Sequence, residues 1–231
     1  MKFRKGPLFF GLIACLVSFN AFSQPADNPD QPKKKPLSAK EIEPKSDFGI
    51  QPMYQFYSLK DSGSFNKIFH QTYISPVMVA FGSYPIRNLG INLNAGYAQV
   101  KGTTIAEGST AGSSGETVKL TVVPIQLEAT YRFDFFNEQF LVPVLGVGGD
   151  YWYYKEDNQY SKDVEGFKAG WHAMAGVGIL LDKADPTSRI ALKEYGIENV
   201  IFEIEGRYCF METKGLNLSG IGVSAGLLFE F

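Results

Sequence analysis

Two histidines are the side chains of this 231-residue chain best suited to act as a general base near neutral pH. A serine becomes a strong nucleophile only when such a base lies beside it. His70 is close in sequence to Ser62, Ser64 and Asp61, so these residues could form a Ser–His–acid set on an exposed loop. His172 lies in a segment whose expected neighbours carry glutamate and arginine. A loop histidine is usually solvated, and a histidine among charges usually belongs to a packing network.

The sequence contains no glycine-rich phosphate loop, no zinc-ligand spacing and no calcium loop, so we expect neither a cofactor nor a metal. Charged residues make up 20% of the chain and the net charge is −2, which argues against a nucleic-acid partner. The two cysteines, Cys15 and Cys209, do not suggest a disulfide framework. We therefore expect no catalysis, and a lipid-modifying enzyme that uses His70 or His172 is the third hypothesis.

The elements that must position these side chains have a period of two. Between Val123 and Phe135, one set of alternate residues is apolar, and the other set contains Gln126, Glu128, Arg132 and Asp134. Successive side chains of a β-strand point to opposite faces, so this segment has one apolar face and one ionic face. A helix would mix the two sets.

The same alternation recurs at 89–97, 167–179, 200–210 and 221–231, and less regular strands are predicted at 48–59, 75–86 and 140–154. Long polar connections at 60–74, 102–117 and 155–166 alternate with short ones at 87–88 and 136–139. One connection, 182–199, differs because Asp185, Pro186 and Gly196 have the spacing of a capped short helix.

Bulky apolar residues occupy one face of these strands, whereas the other face is charged or small. Strands near ten residues long with an apolar outer face and a polar inner face are typical of a transmembrane barrel. Aromatic residues cluster near strand ends, as girdles at the membrane interfaces would. The sequence predicts an all-β fold, an eight-stranded antiparallel up-and-down transmembrane β-barrel with one short periplasmic helix. A β-sandwich and a soluble periplasmic barrel are the rival folds.

Charged side chains on the inner face would share a narrow lumen. Charges removed from water must be paired, and eight strands enclose a space barely wider than their side chains. The predicted lumen polar network consists of Glu128, Arg132, Asp134, His172, Glu203, Glu205 and Arg207, with Asp150 and Lys168 also facing inward. Either this network is a salt-bridged plug that stiffens the barrel, or it gates a thin polar path.

The first 23 residues have the pattern of a signal peptide, with a basic start, an apolar stretch and Ala21-Phe22-Ser23 before the cleavage site. Cys15 offers an alternative, because 12–15 matches a lipoprotein box. Residues 24–47 contain five prolines and mixed charges, which predicts a disordered periplasmic linker. The barrel would then occupy 48–231.

The C-terminal segment carries the most specific motif, with Ser224, Gly226, Phe229 and Phe231 at the places of the assembly signal of bacterial outer-membrane proteins. Residues 48–231 resemble the small eight-stranded barrels of the OmpW and OmpX type. The region from 181 to the end looks most like a myxobacterial and deltaproteobacterial barrel family without an assigned activity. The resemblance implies recognition by the barrel-assembly machinery and residence in the outer membrane.

The first functional hypothesis is a monomeric outer-membrane protein with a structural or surface-interaction role and no catalysis. Its expected partners are outer-membrane lipid, lipopolysaccharide and the barrel-assembly machinery. The alternative is a narrow porin for small or amphipathic solutes.

Overall fold

The computed structural model describes residues 46–60, 63–86, 88–105, 113–136, 139–158, 162–181, 192, 194–211 and 217–231. These ranges contain one short helix, α1 (Gly63–Phe69), and a set of antiparallel strands. The strands are β1 (Phe48–Leu59), β2 (Tyr73–Ile74), β3 (Val77–Ile86), β4 (Leu89–Ile105), β5 (Ser113–Arg132), β6 (Leu141–Asn158), β7 (Val164–Leu180), β8 (Asn199–Met211) and β9 (Gly220–Glu230).

The strands form a closed barrel. From β3 to β9 each strand pairs with the next along the chain, β1 pairs with β3, and β1 also pairs with β9. The two-residue β2 pairs with β1 beyond the end of β3, so β2 and β3 act as one strand interrupted at Ser75-Pro76. Since Pro76 has no N–H to donate, an interruption is expected there. With β2 and β3 counted as one strand, the barrel has eight strands, which confirms the predicted fold.

The strands have the apolar outer face and the polar inner face that the sequence predicted. Over the middle of the strands, side chains exposed on the outer face are apolar, and examples are Leu127, Val147 and Trp171, which are 54–61% exposed. Inward-facing Glu128 and Arg207 are each only 2% exposed. A sandwich with an apolar core would have the opposite arrangement.

Several strands extend further than the sequence predicted. β4, β5, β6 and β7 contain 17, 20, 18 and 17 residues, so the predicted loops 102–117 and 155–166 are partly strand. Cross-strand pairing continues to Thr103 opposite Thr117 and to Glu156 opposite Val164. Small polar residues in 102–117 and charged residues in 155–166 suggested loops, but backbone pairing between neighbouring strands outweighs their weak strand propensity. At its other end β5 stops at Arg132, three residues before the predicted end at Phe135.

We call the end of the barrel near α1, Leu59, Met211 and Leu218 the loop end, and the opposite end near Phe48, Tyr84, Arg132, Val142 and Phe231 the turn end. At the turn end the Phe231 N–H donates to the Phe48 carbonyl at 2.9 Å. The two phenyl rings also stack, with centroids 4.9 Å apart. The C-terminal residue is thus fixed to the start of β1.

Helix α1 was missed because the sequence analysis assigned 60–74 to a loop. Phe65, Ile68 and Phe69 have the i, i+3, i+4 spacing of an amphipathic helix. Phe65 and Phe69 are buried, with ring centroids 4.5 Å apart, and the backbone of Ile68 comes close to Gly102 on β4. The helix therefore packs its apolar side against the barrel at the loop end.

The predicted helix in 182–199 falls largely outside the described residues, and the signal peptide and nearly all of the linker fall outside them too. At the end of that connection, Tyr195 N–H and Ile197 N–H donate to the Leu192 carbonyl at 3.0 and 3.1 Å. Gly196 has a φ of 78°, the left-handed conformation that commonly follows a helix. In the described part of the chain, no helix has the length and apolar content needed to cross a membrane.

Neighbouring glycines on β6 provide a direct test of this interior. A methyl group on Gly148 would meet the Leu127 carbonyl and lie 2.6 Å from the His172 ring, whereas a methyl group on Gly149 would meet nothing within 4 Å. We expect Gly148→Ala to lower the free energy of unfolding by about 1–3 kcal/mol through overpacking. Urea unfolding of the refolded protein in detergent micelles measures this loss.

The matched control is Gly149→Ala, which adds the same methyl group one residue away on the outer face. We expect this variant to differ from the wild type by less than about 0.5 kcal/mol. Equal midpoints for the two variants would contradict the inward orientation of Gly148.

Candidate functional site

The lumen is the candidate site, and its loop-end half is apolar. We call this part the apolar plug. Its buried members are Tyr57, Leu59, Phe65, Phe69, Ile74, Val100, Val118, Leu120, Val122, Trp152, Cys209, Met211 and Leu218. The rings of Tyr57 and Trp152 are fully buried, with centroids 5.0 Å apart, and the Tyr57 hydroxyl donates to the Leu218 carbonyl at 2.6 Å. Aromatic side chains thus cross the lumen beneath α1.

A closed ring of polar contacts follows toward the turn end. We call it the central ring, formed by Gln126, Glu128, Asp150, His172 and Arg207. His172 lies between two carboxylates, with Nδ1 2.9 Å from Asp150 Oδ2 and Nε2 2.9 Å from Glu128 Oε2. Arg207 donates to Glu128 Oε2 at 2.9 Å and also to Gln126 Oε1. Gln126 Nε2 closes the ring by donating to Asp150 Oδ1 at 2.6 Å.

The central ring has links to both of its neighbours along the barrel. Trp152 of the apolar plug donates its indole N–H to Asp150 Oδ1 at 3.2 Å. On the other side, Arg207 Nη2 lies 3.4 Å from Glu205 Oε2, which also accepts from Ser224 Oγ at 3.2 Å. The polar middle of the lumen is therefore tied to the apolar plug and to β9.

The environment of His172 does not suit a hydrolytic base. Its side chain has no solvent exposure, and both ring nitrogens face carboxylate oxygens. A neutral imidazole has one donor and one acceptor, so the two contacts require either a doubly protonated ring or a protonated carboxyl. The ring nitrogens are thus occupied by Glu128 and Asp150.

A second polar group lies at the turn end. We call it the turn-end cluster, formed by Arg132, Glu203, Glu230, Tyr84 and Asn199. Arg132 forms an ion pair with Glu230 and lies 3.8 Å from Glu203. Its guanidinium donates to the Tyr84 hydroxyl at 2.9 Å and stacks over the Tyr84 ring at 4.4 Å. Asn199 donates to Glu230 at 2.7 Å.

A cavity of about 30 Å³ lies against the turn-end cluster. Arg132, Glu230, Tyr84 and Asn199 line its polar side, and Asp134 lies at it beyond the end of β5. Apolar side chains complete the lining, namely Val142, Leu180 and Ile201. A space of this size holds about one or two water molecules.

The seven residues of the predicted lumen polar network are divided by the structure. Glu128, His172, Glu205 and Arg207 are joined in or next to the central ring, whereas Arg132 and Glu203 lie in the turn-end cluster. Asp134 is half-buried at the cavity. The sequence analysis did not single out Tyr84, Gln126, Asn199 and Glu230 as network members. The inward parity of β3, β5, β8 and β9 was the signal that could have found them.

His70 lies at the loop end, where it is exposed and has a positive φ of 52°. Its Nε2 is 3.3 Å from Thr103 Oγ1 on β4. Asp61 and Ser62 fall outside the described residues, as does the side chain of Ser64, so the proposed Ser–His–acid set has no described geometry. Within the described ranges, no group of three metal-ligating side chains is arranged to hold an ion.

Comparison with known proteins agrees with this architecture. The model of the outer membrane protein beta-barrel domain family matches residues 14–229. The chain belongs to this family. It is therefore an outer-membrane β-barrel, as the C-terminal motif suggested. No curated protein matches the chain.

Solved structures match this barrel, and two of them illustrate the shared fold. The barrel is similar to Neisserial surface protein A, with 17% identity and a TM-score of 0.53 over 80% of this chain and 97% of that one. It is also similar to the outer membrane protein OprG from Pseudomonas aeruginosa, with 14% identity and a TM-score of 0.55 over 82% and 98% of the two chains. At these identities the likeness concerns the fold, in agreement with the predicted small-barrel type.

Removing an arginine from either polar group tests how far the barrel depends on internal charge pairing. We expect Arg207→Ala to lower the free energy of unfolding by about 3–5 kcal/mol, because Glu128 and Glu205 lose their cation in a buried setting. Arg132→Ala should act in the same direction at the turn end. Urea unfolding midpoints in micelles measure both losses.

Lys155→Ala is the control, because it breaks an ion pair on the outside of the barrel. Lys155 Nζ lies 2.5 Å from Asp157 and 3.3 Å from Asp163 near the loop end, and its hydrogen bond holds the pKa of the Asp157 carboxyl below its usual range. An exposed pair contributes at most about 1 kcal/mol. Unchanged midpoints in both arginine variants would contradict a stabilising network.

Proposed function

We propose that this chain is a monomeric structural or surface-interaction protein of the outer membrane, with a closed lumen and no catalytic activity. The observation that carries the proposal is that three groups of side chains follow one another along the lumen. The apolar plug occupies the loop-end half, the central ring the middle, and the turn-end cluster the other end. Since eight strands enclose little more than their own side chains, these three layers leave little room for a solute.

We infer the position of the protein in the envelope from its predicted signal peptide and its assembly motif. The signal peptide at 1–23 would direct export and be cleaved, and the C-terminal motif would be recognised by the barrel-assembly machinery. Long connections of outer-membrane barrels face outward and short turns face the periplasm, so we place the loop end outside. Phe229 and Phe231 then lie near the periplasmic boundary, and so does the start of β1 at Phe48.

Two observations favour a non-catalytic role. His172 is sequestered between carboxylates, and a substrate would have to pass the apolar plug or the turn-end cluster to reach it. His70 is accessible, but its described hydrogen-bond partner is the neutral Thr103 hydroxyl, which cannot orient an imidazole as a carboxylate would. What remains available to a partner is the surface of the loop end.

Conduction in a planar lipid bilayer tests the closed lumen. We expect the refolded wild type to insert without discrete current steps. Arg132→Ala and Arg207→Ala should also remain silent, because the apolar plug does not depend on either guanidinium. Heat-dependent migration on gels shows that each sample is folded before it is added.

Discrete steps from the folded wild type would overturn the closed lumen and favour the narrow porin. Steps that appear in the arginine variants alone would mean that the charged groups, rather than the apolar plug, close the path. As a further variant, Tyr57→Ala combined with Trp152→Ala removes the two rings that cross the lumen. Steps in this variant alone would agree with closure by the plug.

A further inference from the structure

Two lysines on the outer wall at the loop end are directly opposed. Lys101 on β4 and Lys119 on β5 are cross-strand partners, and both follow the outward parity of their strands. Residues directly opposite in an antiparallel pair have Cβ atoms about 4.5–5.5 Å apart, and like charges there are destabilising. In the described part of the chain, neither ammonium forms an ion pair with a carboxylate.

The height of this pair on the barrel is well defined. The outward apolar residues of β4 end at Tyr97 and those of β5 end at Val123, and each lysine is the second outward residue beyond that limit. From Leu89 to Tyr97, β4 has about the nine residues that a tilted strand needs to cross the hydrocarbon layer. Lys101 and Lys119 therefore lie just beyond it, at the level of lipid headgroups.

Aromatic side chains support this boundary on the neighbouring strands. Tyr97, Tyr151, Phe167 and Trp171 are each at least half exposed on the outer wall below the lysines. Tyr151 stacks on Phe167 with ring centroids 4.9 Å apart. Aromatic girdles of this kind mark the interface of transmembrane barrels.

A third lysine on the same wall differs from these two because it forms ion pairs with carboxylates. Lys155 is bracketed by Asp157 and Asp163. Asp157 is also the cross-strand partner of Lys119, but its carboxylate is held by Lys155 at 2.5 Å. Lys119 contributes to the lowered pKa of the Asp157 carboxyl, but within the described residues neither Lys101 nor Lys119 has a close ion pair of its own.

We propose that Lys101 and Lys119 together bind a phosphate group of lipopolysaccharide, with the acyl chains of that lipid lying on the apolar wall of β4 and β5. Two ammonium groups on opposed residues can converge on one phosphate, for which lysine is a common ligand. A lipid that places several acyl chains against Ile91, Leu93, Ile125 and Leu127 and a phosphate at the lysines matches both parts of this surface. The choice of lipopolysaccharide as the lipid that supplies this phosphate rests on the proposed function, because that proposal places the loop end at the outer leaflet.

The experiment uses the refolded full chain in micelles of a neutral detergent, with bound lipid counted by native mass spectrometry. The probes are lipid A with its phosphates, the same lipid A after dephosphorylation, and phosphatidylglycerol. We expect the wild type to retain phosphorylated lipid A, and Lys101→Ala combined with Lys119→Ala to bind it about tenfold or more weakly. Lys155→Ala combined with Asp157→Ala removes the neighbouring ion pair without freeing the carboxylate opposite Lys119, and should bind like the wild type.

Further variants separate loss of charge from loss of folding. Lys101→Arg combined with Lys119→Arg keeps both charges and should retain binding, and Lys101→Gln combined with Lys119→Gln keeps most of the side-chain volume and should lose it. Gel migration before and after heating confirms that each variant is folded. If the alanine variant does not fold, the arginine and glutamine variants decide between the outcomes.

Three results would overturn the proposal. Equal binding by wild type and the folded glutamine variant would exclude the lysine pair, and equal retention of dephosphorylated lipid A would exclude phosphate recognition. Equal retention of phosphatidylglycerol would overturn the choice of lipopolysaccharide. These outcomes are independent of the conductance of the lumen, so a conducting wild type would refute the closed lumen without affecting the lipid result.

Discussion

The interior of this barrel is governed by the cost of placing charge in a space that water cannot fill. Five inward carboxylates, Glu128, Asp150, Glu203, Glu205 and Glu230, share the lumen with Arg132, Arg207 and Lys168. A buried charge without a partner costs several kcal/mol, so each strand must be held at the register that brings partners together. Side chains of β5, β6, β7 and β8 meet in the central ring, and those of β3, β5, β8 and β9 meet in the turn-end cluster. The ion pairs between inward charges thus favour one register of the strands in the sheet.

The two ends of the lumen solve the same packing problem in different ways. At the loop end, α1 packs Phe65 and Phe69 against the ends of the strands. The interior there is apolar, so it contains no charges that need partners. At the turn end, a guanidinium lies between a tyrosine ring and two carboxylates, beside a small cavity. Between them lies the central ring, where Asp150 accepts the indole hydrogen bond of Trp152 that joins the polar and apolar halves. The outer wall then only has to be apolar, and the lysine pair at its upper boundary is a departure from that pattern.

The fold could be predicted because a period of two is a local signal. The alternation in residues such as Gln126, Glu128 and Arg132 determines which side of the strand is inside without knowledge of any neighbour. The pairing of Arg207 with Glu128, and of Arg132 with Glu230, could not be predicted in this way. These contacts cross the lumen between strands that are not adjacent, so they depend on the stagger of the closed sheet. The sequence analysis therefore found the inward charges other than Glu230, but it placed them in one network, whereas the structure divides them into two groups.

Local composition misled the analysis where tertiary contacts decide the structure. Glycine, serine and threonine in 102–117 read as a loop, yet Thr103 and Thr117 are paired in the ladder. Helix α1 is only seven residues long, and its stability comes from the burial of Phe65 and Phe69 instead of from helix propensity. Both features depend on neighbours that are distant in sequence.

The pairing of β1 with β9 has a consequence for the order in which the barrel forms. Gly49 is paired with Glu230, roughly 180 residues later, and contacts between such distant segments slow folding because the intervening chain must be confined first. The other strand pairs join neighbours in sequence, so they can assemble as successive hairpins while this seam stays open. Until it closes, β1 and β9 each present an unpaired backbone edge, the feature by which partly folded sheets aggregate. Closure of the β1–β9 seam is therefore the folding step at which the chain is most exposed to aggregation. The Phe48–Phe231 stack lies at the turn end of this seam.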